Sequence, residues 1–205
     1  MVRFEIHLTT PHQRLIHKAV EALQEGQIVV YPTDTVYGIG CSLYQKHAIE
    51  KLYRLKGKSK FEPMSIICNS IQQASHYVRI SNYTFRILKR CFPGPFTIIL
   101  PATREIPRLM LTRRKEIGIR IPDNQVCMQL VNELEHPILN TSAGLSENYL
   151  LHGQHDFNNE LLNAVDIFLD AGPLPDKQGS TVVRIVNDKL ELIREGKGDI
   201  ETLLM

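Results

Sequence analysis

Ile28-Val29-Val30-Tyr31-Pro32-Thr33-Asp34-Thr35-Val36-Tyr37-Gly38-Ile39-Gly40 is the stretch on which the reading of the fold turns. Its first four residues are β-prone and are closed by a proline, which reads as a buried strand that stops abruptly. Past the strand end come two threonines, one carboxylate and two glycines. Open α/β sheets bind ligands just outside strand ends, so Thr33 to Gly40 is the first candidate site loop. A helical pattern follows (Ala48, Ile49, Leu52, Tyr53, Leu55), then the cations Lys56, Lys58 and Lys60, then a second apolar run from Met64 to Cys68.

Outward from this centre, helices and strands alternate. Phe4, Ile6 and Leu8 alternate with polar residues, which suits a short edge strand. Thr9 or Thr10 before Pro11 predicts the start of a helix through Leu15, Ile16, Ala19, Val20 and Leu23 that ends near Gly26. Further helices are expected over 71–78, 84–91 and 126–134, and strands over 96–100 and 117–121. Residues 103–115 read as a short helix or lid-like loop. A strand opening at Ile138 and Leu139 runs into Asn140-Thr141-Ser142-Ala143-Gly144. Asp156 is a candidate cap for a helix through Leu161, Leu162 and Val165, with a strand over 166–169 after it and a loop over 172–180. Residues 181–186 and 190–194 form a strand pair around the turn Asn187-Asp188. The expected class is mixed α/β, a twisted mixed sheet with helices on its faces, in one domain over 1–205.

Bulk composition excludes several classes. The 205 residues hold 43% hydrophobic and 22% charged residues, a globular composition, and a net charge of +2 argues against a uniformly basic nucleic-acid coat. Cys41, Cys68, Cys91 and Cys127 stand singly, so zinc-ribbon and redox-pair readings fail. No run reaches membrane-spanning length and the N-terminus has no signal-peptide layout, so a cytoplasmic protein with no membrane association is expected. His152 and His155 have no third ligand in view, and no metal site is expected.

Two phosphate motifs fail on spacing. Gly57-Lys58-Ser59 has Leu52 where a P-loop needs its first glycine, and Gly38-Ile39-Gly40 has Leu43 where a dinucleotide fingerprint needs its third. The cluster Lys51, Arg54, Lys56, Lys58 and Lys60 is either a solvated helix end or, because Pro63 and a strand pin it, a binding patch for phosphate or RNA. Arg120 interrupts Ile117-Gly118-Ile119-Arg120-Ile121. A guanidinium in such a run needs an anion: a structural carboxylate or a substrate carboxylate, and the pattern favours neither. Thr33, Thr35, Ser142 and Ser180 are hydroxyls at strand ends that turns alone can explain, or that can line one polar pocket.

Taken together, YPTDTVYGIG (31–40), KGKSKFEPMS (56–65), PGPFTIIL (93–100), IGIRIP (117–122), NTSAGLS (140–146), GSTVVRI (179–185) and REG (194–196) resemble the YrdC/YciO family in family order. The resemblance implies a YrdC/RibB-like domain with a large concave basic cavity. It implies synthesis of L-threonylcarbamoyladenylate and pyrophosphate from ATP, L-threonine and bicarbonate, for the t6A modification of tRNA. Mg²⁺ would accompany ATP as substrate, with no tightly bound cofactor. Three anionic reactants need several cations, and phosphoryl chemistry of this kind is mostly positioning and charge neutralisation.

By the same resemblance, Lys56, Lys58 and Arg120 are the catalytic cations, and Thr35, Arg120 and Ser180 contact threonine. Lys56, Lys58, Glu62, Ser142 and Arg194 lie on the nucleotide side. Implied partners are ATP, threonine and bicarbonate, with tRNA, double-stranded RNA or the tRNA-modification machinery beyond them. The chain departs from the family pattern at Lys58 (usually Arg), Ser59 (Pro), Glu62 (Asn), Ile67 (often His), Gly144 (Asn) and Glu195 (Pro). Those departures point to the YciO branch. The second reading is a double-stranded RNA or tRNA binder of the same fold with weak or no synthase activity.

Overall fold

The computed structural model describes residues 1–55, 64–110, 115–143 and 163–204. These contain a ten-stranded mixed sheet: β1 (Val2–Glu5), β2 (Val29–Tyr31), β3 (Gly38–Ser42), β4 (Ser65–Ile67), β5 (Phe96–Pro101), β6 (Glu116–Arg120), β7 (Ile138–Ser142), β8 (Ile167–Asp170), β9 (Thr181–Val186) and β10 (Lys189–Arg194). Spatial order is β1-β8-β2-β3-β7-β4-β6-β5-β9-β10. Pairings β1/β8, β2/β8, β4/β6 and β5/β9 are parallel and the rest antiparallel. The described helices are α1 (Gln13–Gln24), α2 (Lys46–Leu55), α3 (Ile71–Tyr77), α4 (Asn82–Cys91), α5 (Gln125–Leu134) and α6 (Glu201–Leu204).

The helices bury opposite faces of the sheet. Ile16, Ala19, Val20 and Leu23 of α1 pack with Val126, Leu130 and Val131 of α5 over Val29, Tyr31, Ile67 and Ile138. Alternate residues of the same strands, Val30, Ile39, Ile66 and Leu139, point the other way and meet Leu52, Ala74 and Leu88 of α2, α3 and α4. This is the period-two alternation of a sheet covered on both sides. Short polar side chains cap the helices as their spacing suggests: Ser70, Ser81 and Asn124 accept from Gln73, Thr84 and Cys127 backbone N–H groups.

Two expectations change, and a third narrows to one of its alternatives. Gly38-Ile39-Gly40 is not loop but strand β3, antiparallel to both β2 and β7. The glycines are there for close packing: a Cβ on Gly38 would sit 2.6 Å from Asn140 Oδ1 and 3.0 Å from the Tyr31 ring. The start of α1 is not capped by threonine. His12 occupies the cap with no side-chain bond, while the Thr9 and Thr10 hydroxyls turn back to His7 Nδ1 at 3.1 and 3.0 Å. Of 103–115, Arg108–Met110 forms one 3-10 turn with Ile106 and Met110 buried, so this part is core and not lid. The closing hairpin stands as expected, with Asn187 and Asp188 at φ 51° and 57°, values that two-residue hairpin turns of matching twist require. The expected helix over 156–165 falls mostly outside the described residues.

Candidate active site

The loop after β2 folds across the sheet to meet β6. Thr33 Oγ1 donates to Val36 O at 2.6 Å and accepts from Thr35 N at 3.1 Å, which closes the loop on itself. Arg120, at the end of β6, is only 5% exposed. Its Nη2 donates to Asp34 Oδ1 (2.5 Å), Thr35 Oγ1 (2.6 Å) and Thr33 Oγ1 (3.1 Å). Two N–H groups are thus shared among three acceptors, and Asp34 is as buried as its partner, at 7% side-chain exposure each. Asp34 Oδ2 accepts the Asp123 backbone N–H just ahead of α5, which fixes the carboxylate from its far side.

The ion pair decides between the two sequence readings only in part. The structural carboxylate exists, and it is Asp34. Yet Arg120 Nε is buried without a hydrogen-bond partner. An unpaired N–H on a buried cation is costly, and a carboxylate is the group whose geometry suits the remaining side of a guanidinium. The Thr35 hydroxyl meets the same guanidinium. It accepts from Arg120 and lies 3.1 Å from Thr33 Oγ1, whose own proton goes to Val36 O, so Thr35 is the donor between the two hydroxyls.

Ser180 and Thr97 complete this end of the site. Ile98 pairs with Ile119, so the register places Thr97 beside Arg120 on the same face, and Ser180 Oγ lies 2.8 Å from Thr97 Oγ1. Arg194 reaches the same place from β10, where its Nη2 donates to Ser180 O at 3.0 Å. Ser142 shares the face but not the spot. It pairs with Gly38, four residues along β7 from Ile138, which the ladder aligns through Ile67 with Arg120. That offset is about 13 Å along the strands. Between them runs a buried polar chain from Tyr31 to Asn140 (2.7 Å) and Ser65 (3.4 Å).

Lys56, Lys58 and Glu62 lie outside the described residues, as do Gly144, His152 and His155. Of the other clustered cations, Lys51 is bound 3.3 Å from Asp166, which also receives the Ile28 N–H. Lys51 is thus paired with a carboxylate of the fold, which neither reading of the cluster named. Cys127 lies beside the site, with Sγ 3.3 Å from Pro32 O, but burial pushes its thiol well above the usual range. It serves packing. Asp34 and Thr97 were missed as site residues. Asp34 was legible as the carboxylate nearest Arg120's family of hydroxyls, and Thr97 as the polar residue alternating into an apolar strand.

A family model described as Sua5_yciO_yrdC, "Telomere recombination", matches residues 21–196. The chain belongs to the Sua5/YciO/YrdC family. It is 34% identical over 203 residues to the uncharacterised protein YciO of Escherichia coli, covering 98% of both chains. The crystal structure of E. coli YciO superposes with a TM-score of 0.92 over 98% of both chains, at 33% identity. Threonylcarbamoyl-AMP synthase of Mus musculus is 31% identical over 188 residues, 88% of this chain and 66% of the mouse protein. P. abyssi Sua5 complexed with L-threonine has the same fold, with a TM-score of 0.88 at 24% identity over 96% of this chain and 58% of that one. Membership with YciO and with synthases accords with the mixed sheet.

Proposed function

We propose that the chain is a nucleotidyltransferase that makes L-threonylcarbamoyladenylate. The threonine amine takes up bicarbonate as a carbamate with loss of water. A carbamate oxygen then attacks the α-phosphorus of ATP, the bond to the β,γ-phosphates breaks, and pyrophosphate leaves. The observation that carries the reading is the unpaired Nε of buried Arg120, with the Thr35 hydroxyl held on the same guanidinium. Threonine offers a carboxylate to that N–H. Synthase relatives at about this distance support the same class of chemistry.

In this reading Arg120, Thr35 and Ser180 hold the amino acid. Ser142, displaced along the sheet, faces the nucleotide, and Arg194 adds charge to it from the Ser180 end, where it donates to the Ser180 carbonyl. Lys56 and Lys58 supply charge to the phosphates, Mg²⁺ accompanies ATP, and the product serves tRNA modification. Catalysis would come from positioning and neutralisation. The test is incubation with ATP, Mg²⁺, labelled bicarbonate and a panel of amino acids, with mass analysis of the adenylates. A labelled threonylcarbamoyladenylate is expected. A different amino acid in the adenylate, or no adenylate at all, would overturn the assignment.

A further inference from the structure

The walls of the Arg120 site come from segments far apart in sequence: the loop 32–37, the loop 171–180 that ends in Ser180, and the stretch after β10. The last two are stitched together by one backbone bond and by the Thr181 hydroxyl. Lys197 N donates to Gly179 O at 2.9 Å, Gly196 N donates to Thr181 Oγ1 at 3.0 Å, and Thr181 Oγ1 donates to Gly198 O at 2.6 Å. A Cβ on Gly196 would lie 2.4 Å from Gly179 O, so only glycine allows this approach. From that seam the Lys197 side chain reaches in two directions. Nζ donates to Asp176 Oδ2 at 2.6 Å and to the backbone carbonyl of Asp34 at 2.7 Å.

We infer that Lys197 is a positioning residue, a strap that holds the Thr35 wall and the Ser180 wall at the spacing an amino-acid substrate needs. An exposed ion pair alone contributes little, and Lys197 and Asp176 are each about a third exposed. What distinguishes this ammonium is its second bond. It ends on the residue whose carboxylate pairs with Arg120, so one side chain ties all three segments through Asp34. The described residues also join the two loops where the second begins, with Tyr37 Oη donating to Gly172 O at 2.7 Å and accepting from Ala171 N at 2.9 Å, so Lys197 fastens the stretches nearer Thr35 and Ser180. A looser pair of walls lowers the fraction of protein ready to bind, and apparent affinity falls by that fraction. Lys197 touches no reacting atom, so the chemical step on bound substrate stays intact. The substrate side of this inference rests on the proposed reading of the site.

Two measurements separate the strap from that reading. In ligand-free protein, Lys197→Met is expected to speed amide hydrogen exchange several-fold in peptides covering 32–37 and 171–181, and to leave α1 and α5 unchanged. In turnover, the threonine KM should rise about threefold to tenfold while the ATP KM and kcat stay within about twofold. Lys197→Arg should restore the threonine KM. Asp176→Ala should raise it, and the double variant with Lys197→Met should be no worse than Lys197→Met alone, because both cut one connection. Unchanged exchange in both loops overturns the strap, as does an equal loss in threonine KM, ATP KM and kcat. If the unaltered protein shows no threonine-dependent turnover, the functional reading fails, and exchange still decides whether Lys197 fastens the loops.

Discussion

Replacing Asp34 by Asn and Arg120 by Met, singly and together, probes the pair on which the site is built. Both side chains are more than nine-tenths buried and lie 2.5 Å apart. Removing one partner leaves the other as an uncompensated buried charge, a loss of about 3–5 kcal/mol. Asp34→Asn also sets an amide N–H where Asp34 Oδ2 now accepts from Asp123 N, or turns that N–H towards Arg120 Nη2. Either orientation opposes two donors. Arg120→Met removes a donor shared by three acceptors, leaving Thr33 and Thr35 to each other at 3.1 Å. In a chain of 205 residues each kcal/mol lowers the melting temperature by about 2–4 °C. Each single variant should therefore melt about 6–20 °C below the parent. The double variant removes both charges and should recover much of that loss, giving a coupling of about 2 kcal/mol or more in denaturant titrations near neutral pH. Two single variants within about 1 kcal/mol of the parent, with additive effects, would refute the claim of a buried, mutually dependent pair.

Other consequences are measured more simply. Burial pushes the Cys41 and Cys91 thiols up to about 12 and those of Cys68 and Cys127 higher still, so native protein at pH 8 should react with an aromatic disulfide reagent only on unfolding, when all four respond. Fast reaction of any thiol in the native state would contradict this packing. Burial lowers the His136 pKa despite its bond to Pro137 O, so the folded state prefers the neutral ring and the unfolded state binds its proton first. Stability from this group falls as pH drops below about 6.5, and the loss is complete below the folded value. The stability gap between the parent and His136→Gln should shrink between pH 7 and pH 5 in denaturant titrations; a constant gap refutes the assignment. Glu62 stands where the family pattern has Asn, so Glu62→Asn should tighten ATP binding in calorimetry, and equal or weaker affinity would count against charge repulsion there.

The sheet was legible because its strands are either apolar runs or alternate cleanly. Ile28 to Tyr31, Phe96 to Leu100 and the 181–194 hairpin appear where their composition puts them. Strand β3 was hidden because two of its five residues are glycines, and glycine reads as a turn until the neighbours that exclude a side chain are known. Polar residues at strand ends were legible as candidates, and their convergence was not. Thr33, Asp34 and Thr35 reach Arg120 across 85 to 87 positions of sequence, through a register that no local pattern encodes. Arg120 itself announced an anion by interrupting an apolar strand, and Asp34 is that anion. Lys197 follows a strand end in a polar stretch, and its role exists only because Gly179 and Gly196 bring two backbones together.

If the chain binds an amino acid, the unpaired Nε of Arg120 receives its carboxylate. Isothermal titration of the unaltered protein with L-threonine and with L-threoninol, in the presence of a non-hydrolysable ATP analogue and Mg²⁺, tests it most directly. The two ligands share the hydroxyl and the amine and differ at the carboxylate alone. Threoninol is predicted to bind about a hundredfold more weakly, or not at all, as expected when a buried charge-assisted bond goes unmade. Equal affinities would show that Arg120 does not hold the substrate.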